Sequence, residues 1–101
     1  FDHTLCLSTE KTDLRPVATL SGTNGITMTL ETTETGLQIC DAAFVSSAPF
    51  VGFQGAAYEN FAGIALEAQG WPDAPNKPSF PQINITPDAP YHQVTRWTFN
   101  R

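Results

Sequence analysis

Glu67 and Gln38 are the two side chains whose placement offers chemistry. Glu67 lies in the run Phe61-Ala62-Gly63-Ile64-Ala65-Leu66-Glu67-Ala68-Gln69. If that run is extended, successive side chains alternate between two faces. Ala62, Ile64, Leu66 and Ala68 then share one face, and Gly63, Ala65, Glu67 and Gln69 the other. A carboxylate set among Gly and Ala has open space above it, enough for a small polar ligand. Gln38 likewise points away from Leu37 and Ile39 in the run 36–40. A carboxylate and an amide on neighbouring strands suit a sugar, whose hydroxyls want mixed donors and acceptors. The same alternation also describes ordinary solvent-facing strand residues, and spacing alone does not identify an enzyme.

The other reactive residue types are sparse. Cys6 and Cys40 fall in no CxxC and near no His at ligand spacing, so neither a metal site nor a marked redox pair is expected. They read as free, partly buried thiols. The triplet Asn84-Ile85-Thr86 is followed directly by Pro87 and carries little weight as a glycosylation site. The net charge is −5 and the pI is near 4.6. The cations Lys11, Arg15, Lys77, Arg96 and Arg101 are scattered, whereas phosphate binding needs them clustered. Neither a nucleic acid nor an anionic membrane is an expected partner. No apolar run approaches the roughly 18 residues of a membrane span, and no basic-then-apolar leader opens the sequence.

The elements that must position Glu67 and Gln38 are strands. With 41% hydrophobic and 15% charged residues, the balance is globular rather than disordered. Residues 16–20 read as a strand. Residues 25–31 alternate, with Ile26, Met28 and Leu30 against Thr27, Thr29 and Glu31. Between them, Ser21-Gly22-Thr23-Asn24-Gly25 contains an Asn-Gly step, a strong hairpin signal. Residues 36–40 form a short strand, residues 61–69 a central one, and residues 91–99 a closing one. Six of the eight prolines fall between Trp71 and Pro90, which excludes a helix or a central strand there. Trp71, Phe80 and Ile83 in that stretch predict an ordered loop packed across the sheet. No run has convincing helical amphipathicity. The expected class is all-β, most simply a sandwich.

The segment Gly63-Ile64-Ala65-Leu66-Glu67-Ala68-Gln69-Gly70-Trp71-Pro72-Asp73-Ala74-Pro75-Asn76-Lys77-Pro78-Ser79-Phe80-Pro81 resembles the signature of the aldose 1-epimerase (galactose mutarotase) family. There, a strand ending in Leu-Glu-x-Gln runs into a Pro-Asp-x-x-Asn-x-Pro-x-Phe-Pro loop. Phe1-Asp2-His3 resembles the family's Phe-Asp-His motif. Thr32-Thr33-Glu34-Thr35-Gly36-Leu37-Gln38 is similar to its Thr-x-x-Pro-Gly-x-Gln turn and strand, with Thr35 in place of the proline. Cys40-Asp41-Ala42-Ala43-Phe44 stands where Tyr-x-Gly-Asn-Phe is usual. The closing Pro90-Tyr91-His92-Gln93-Val94-Thr95 is similar to the family's terminal strand. The likeness spans the whole chain and covers about the last third of a family member.

Carried over position by position, the resemblance implies a general base at Glu67 and sugar-binding residues at Asp2 and Gln38. It implies that residues 1–101 are the C-terminal portion of one large twisted β-sandwich, not autonomous, and that they belong with a preceding N-terminal part. Phe1 rather than Met opens the chain, in keeping with that expectation. The implied substrate is an aldohexose, the implied location cytoplasmic, and no metal or other cofactor is called for, since anomer interconversion moves no electrons. The general-acid histidine of the family maps before Phe1. His3 reads as a structural hydrogen-bonder and His92 as a surface or edge residue. A non-catalytic carbohydrate-binding homologue and an epimerase of phosphorylated hexoses remain as alternative functions.

Overall fold

Short runs rich in Thr and β-branched or apolar residues favour pleated chain, and six strands result. A computed structural model describes all residues, Phe1–Arg101. The strands are β1 (Asp2–Cys6), β2 (Arg15–Ser21), β3 (Thr27–Thr32), β4 (Gly36–Cys40), β5 (Ala65–Gln69) and β6 (Thr95–Asn100). They form two antiparallel three-stranded sheets, ordered β1-β4-β5 and β2-β3-β6. One turn of 3-10 helix, Ala74–Asn76, is the sole helical element. The expectation of an all-β chain holds.

The middle strands β3 and β4 are consecutive, joined only by residues 33–35. On either side of this joint the flanking passages continue the hydrogen bonding. Leu7 N–H donates to the Thr35 carbonyl (2.9 Å), and Thr33 N–H to the Val94 carbonyl (3.1 Å). Three passages of chain, residues 1–21, 27–40 and 65–100, thus each supply one strand to each sheet.

The joint is where the chain buries most. Leu30 and Leu37, on either side of it, are fully buried, and so are Thr32 and Glu34. Here the ladder is interrupted, so backbone carbonyls need other donors. Arg15 reaches the carbonyls of Thr32 (2.8 Å) and Glu34 (3.1 Å), and Trp71 Nε1 donates to that of Thr35 (2.8 Å). The Glu34 carboxylate, 1% exposed, meets Lys11 Nζ at 2.8 Å and the Tyr91 hydroxyl at 3.0 Å. Lys11 also lies 3.9 Å from the centre of the Tyr91 ring, a cation–π contact.

Removal from water, then the hydrogen bond to Glu34 and its charge, push the Tyr91 phenol up to about 12. A folded value above the unfolded one means that the folded chain holds the proton longer. The stability contributed is complete below pH 10 and is lost as pH rises from about 10 through 12. Tyr91→Phe is expected to flatten that part of a melting-temperature-against-pH curve. A curve in Tyr91→Phe that falls as steeply as wild type over this interval would remove the phenol as its cause.

The strand expectations hold with defined changes. Residues 16–20 lie within β2, residues 36–40 are β4, and the Asn-Gly step turns the β2–β3 hairpin with Gly25 at φ 84°. The expected strand at 25–31 starts only at Thr27, because Gly22 and Ile26 close the turn between them. The expected strand at 61–69 starts only at Ala65. Phe61 is left-handed (φ 62°) and its N–H is taken by the Ala42 carbonyl, which ends a turn rather than begins a ladder. Within this chain β5 is also an outer strand, and β4 holds the centre. The closing strand likewise starts at Thr95, not Tyr91, because side chains take the earlier polar groups: Lys11 that of His92, Thr33 that of Val94.

The proline-rich stretch is an ordered loop, as expected. Trp71 and Phe80 pack edge to face at 5.0 Å. Gln82 Nε2 lies 3.0 Å from each of the carbonyls of Ala74, Lys77 and Phe80, drawing the loop around one amide. Trp71 passes over β4 at Gly36, where a Cβ would stand 3.2 Å from the indole ring. Both thiols are free. Cys40 is half-buried, whereas Cys6 is exposed on the outer strand β1, which corrects the expectation of burial for it.

Candidate functional site

The pleat and the register decide which side chains meet. In the sheet β1-β4-β5, Thr4 pairs with Gln38 and Gln38 with Glu67, while Asp2 pairs with Cys40 and Cys40 with Ala65. Residues opposite one another across an antiparallel ladder project to the same face, as do residues two apart along a strand. Asp2, Thr4, Gln38 and Glu67 therefore occupy one face. Leu5, Leu37 and Ala68, with His3, Ile39 and Leu66, occupy the other. Leu37, 1% exposed, marks that second face as the buried one near the joint. All three residues singled out in the sequence are thus brought together by strand pairing.

The polar contacts on this face are directional. Gln38 Nε2 donates to Asp2 Oδ1 at 2.5 Å, an amide N–H set on a carboxylate oxygen. The Thr4 hydroxyl donates to Gln38 Oε1. Glu67, directly across from Gln38, is exposed. The face carries two carboxylates about an amide, bordered on one side by the small Ala65 and Cys40 and on the other by Gln69 and by Gly36, over which Trp71 passes. Adjacent strands lie roughly 4.8 Å apart, so Gln38 and Glu67 stand close enough to contact one small ligand together.

Thr4 is the polar residue of this face that sequence reasoning missed. The available signal was its place two residues after Asp2, but a five-residue strand at the chain's start shows too little alternation to be read. His3 alternates to the opposite face from Asp2. Its Nδ1 accepts the Asp2 N–H at 3.3 Å and its ring lies 4.8 Å from that of Phe1. His92 is exposed near the joint.

Two hollows in the surface bear on the site. One of about 500 Å³ is bounded by residues 9–11, 34–35, 81–85 and 89–92 at the joint. Of its charged residues Glu10, Lys11 and Glu34, the last two are paired with one another. The other, about 300 Å³, borders Asp2 and Cys40 together with His3 and Phe44. Of Asp2, Gln38 and Glu67, only Asp2 lines the second hollow, and none of the three lines the first.

The model of the family described as aldose 1-epimerase matches residues 1–98. This chain belongs to the aldose 1-epimerase family. Galactose mutarotase of Rattus norvegicus is 32% identical over 100 residues, covering 99% of this chain and 29% of that protein. The proteins of the same name from Homo sapiens and Mus musculus are 32% and 31% identical over the same coverage. The chain therefore spans just under a third of the length of these relatives. The family assignment agrees with the all-β architecture and with the resemblance carried by the motif around Glu67. No helix of the chain is long and apolar enough to cross a membrane.

Proposed function

We propose that this chain is the base-bearing part of an aldose 1-epimerase that interconverts the α and β anomers of an aldohexose such as galactose or glucose. The observation that carries the reading is the register. Glu67, Gln38 and Asp2 come from three paired strands and share one open face. A hexose laid on this face would offer hydroxyl donors to the two carboxylates and find a mixed donor–acceptor in Gln38. Glu67 takes the proton from the C1 hydroxyl while an acid protonates the ring oxygen. The ring opens to the aldehyde, the C1–C2 bond turns, and closure on the other side gives the other anomer. General acid and base each typically contribute about 10²–10⁴-fold.

The acid belongs, in this reading, to the rest of the same polypeptide. His3 faces away from Glu67 across the sheet, and His92 stands near the joint. Residues 1–101 are then part of a single β-sandwich domain whose remainder completes the sugar site. Asp2 and Gln38 hold the sugar rather than move its proton. In the full-length protein, Asp2→Ala is expected to weaken hexose binding by about 1–3 kcal/mol, through loss of charge-assisted bonds. Gln38→Ala is expected to cost less, about 0.5–1.5 kcal/mol. Calorimetric titration with galactose or glucose checks both, and unchanged affinity in both variants would remove them from the site. A hexose phosphate bound far more tightly than the free sugar would favour a phosphosugar epimerase instead.

A further inference from the structure

We propose that Thr4 is a positioning residue for the sugar site, acting through Gln38. The proposal rests on the sugar-binding reading of Asp2 and Gln38. A glutamine amide has two orientations that fill the same space, with the oxygen and nitrogen exchanged. Only one of them places the N–H₂ toward Asp2, and that one is present: Gln38 Nε2 meets Asp2 Oδ1 at 2.5 Å. The exchanged orientation would set the amide oxygen against a carboxylate, two acceptors with no proton between them. At the other end, the Thr4 hydroxyl donates to Gln38 Oε1. With the amide exchanged, that hydroxyl would meet the N–H₂ group instead. A hydroxyl can accept as well as donate, so Asp2 selects the orientation and the Thr4 hydroxyl holds the amide oxygen in it.

Thr4 suits the task. It is directly opposite Gln38 in the ladder and half-buried, whereas Asp2 is exposed. Its β-branched side chain has few accessible rotamers, and its methyl group lies toward Gly36, 3.4 Å from where a Cβ there would stand. Gly36 is in turn covered by Trp71, whose indole N–H is fixed to the Thr35 carbonyl at 2.8 Å. The order of the buried joint is thus passed to the exposed face in a chain of contacts: Trp71, Gly36, Thr4, Gln38, Asp2. The consequence for the sugar is preorganisation. Asp2 has one oxygen held by Gln38, leaving the other to accept from a hydroxyl in a defined direction, which reduces the ordering cost of binding.

The test uses Thr4→Val, which keeps the shape and removes the hydroxyl, and Thr4→Ser, which keeps the hydroxyl, both in the full-length protein. Thr4→Val is expected to raise the hexose Kd about 3- to 10-fold, the scale of one net hydrogen bond, with kcat little altered. Thr4→Ser should restore the Kd to within about twofold. In a Gln38→Ala background, Thr4→Val should add almost nothing, because the residue through which it acts is already gone. Equal losses in both backgrounds would overturn the proposal, as would an unchanged Kd in Thr4→Val. A second readout needs no sugar: the Gln38 side-chain amide resonances in a ¹⁵N–¹H spectrum should move in Thr4→Val and return in Thr4→Ser. If the unmutated protein binds no hexose, the sugar reading fails and this role for Thr4 fails with it. The amide signals then still report whether Thr4 orients Gln38.

Discussion

Glu67→Gln is expected to lower kcat for anomer interconversion about 10²–10⁴-fold while hexose binding largely survives. The substitution keeps length, shape and hydrogen-bonding reach, and removes only the ability to take a proton. Its structural cost is small: Glu67 is exposed on the outer strand β5, facing away from Leu37. Its neighbour Gln38 keeps its bonds to Asp2 and Thr4, since neither involves Glu67. A fall in kcat with a nearly constant Kd would therefore report chemistry rather than collapse of the site. Polarimetry gives the rate and calorimetry the Kd. Turnover within a few-fold of wild type would mean that another residue is the base.

Residues 1–101 alone are expected to show no interconversion above the buffer rate, and to regain it when combined with the remainder of the full-length protein. The chemical part of this expectation is the acid, for which His3 and His92 are badly placed. The physical part is exposure. The radius of gyration is 16.5 Å, against about 13 Å for a compact chain of this length. The buried hydrophobic residues are just Met28, Leu30, Leu37 and Ala74, while Phe44 and Phe53 are almost wholly exposed and Phe50 and Phe61 largely so. So much apolar surface, with the outer strands β1, β2, β5 and β6 unpaired on one side, calls for cover and otherwise favours association. Sedimentation of the isolated chain is expected to show self-association, and mixing with the separately made remainder to give a defined complex that interconverts anomers. Robust interconversion by a monomeric preparation of residues 1–101 would overturn this and require an acid within the chain.

What the sequence made legible follows from how local each signal is. Alternation at Ile26, Met28 and Leu30, and the Asn-Gly turn before them, are decided by residues next to one another, and β3 and its hairpin were readable for that reason. Alternation also assigned Glu67 and Gln38 to the non-core faces of their strands. What it could not supply was pairing. That Gln38 faces Glu67 and lies beside Asp2 depends on registers joining residues 29 and 36 positions apart, and the motif resemblance, not periodicity, linked them. The starts of β5 and β6 were misplaced because hydrogen bonds from distant residues decide them, Ala42 for Phe61 and Lys11 for His92. The joint was illegible for a similar reason. Thr32, Glu34 and Thr35 read as a polar turn, yet they are among the most buried residues, since Lys11, Arg15, Trp71 and Tyr91 converge on them from elsewhere in the chain.

The most direct measurement is magnetisation exchange between the C1 protons of α- and β-galactose, in the presence of the full-length protein carrying this chain. It sees the two anomers at equilibrium, so no coupled enzyme or optical change intervenes. The expected result is exchange well above the buffer rate, proportional to protein concentration and nearly abolished by Glu67→Gln. Binding of galactose without any acceleration of exchange would contradict the account, and would make the protein a carbohydrate-binding member of its family rather than an epimerase.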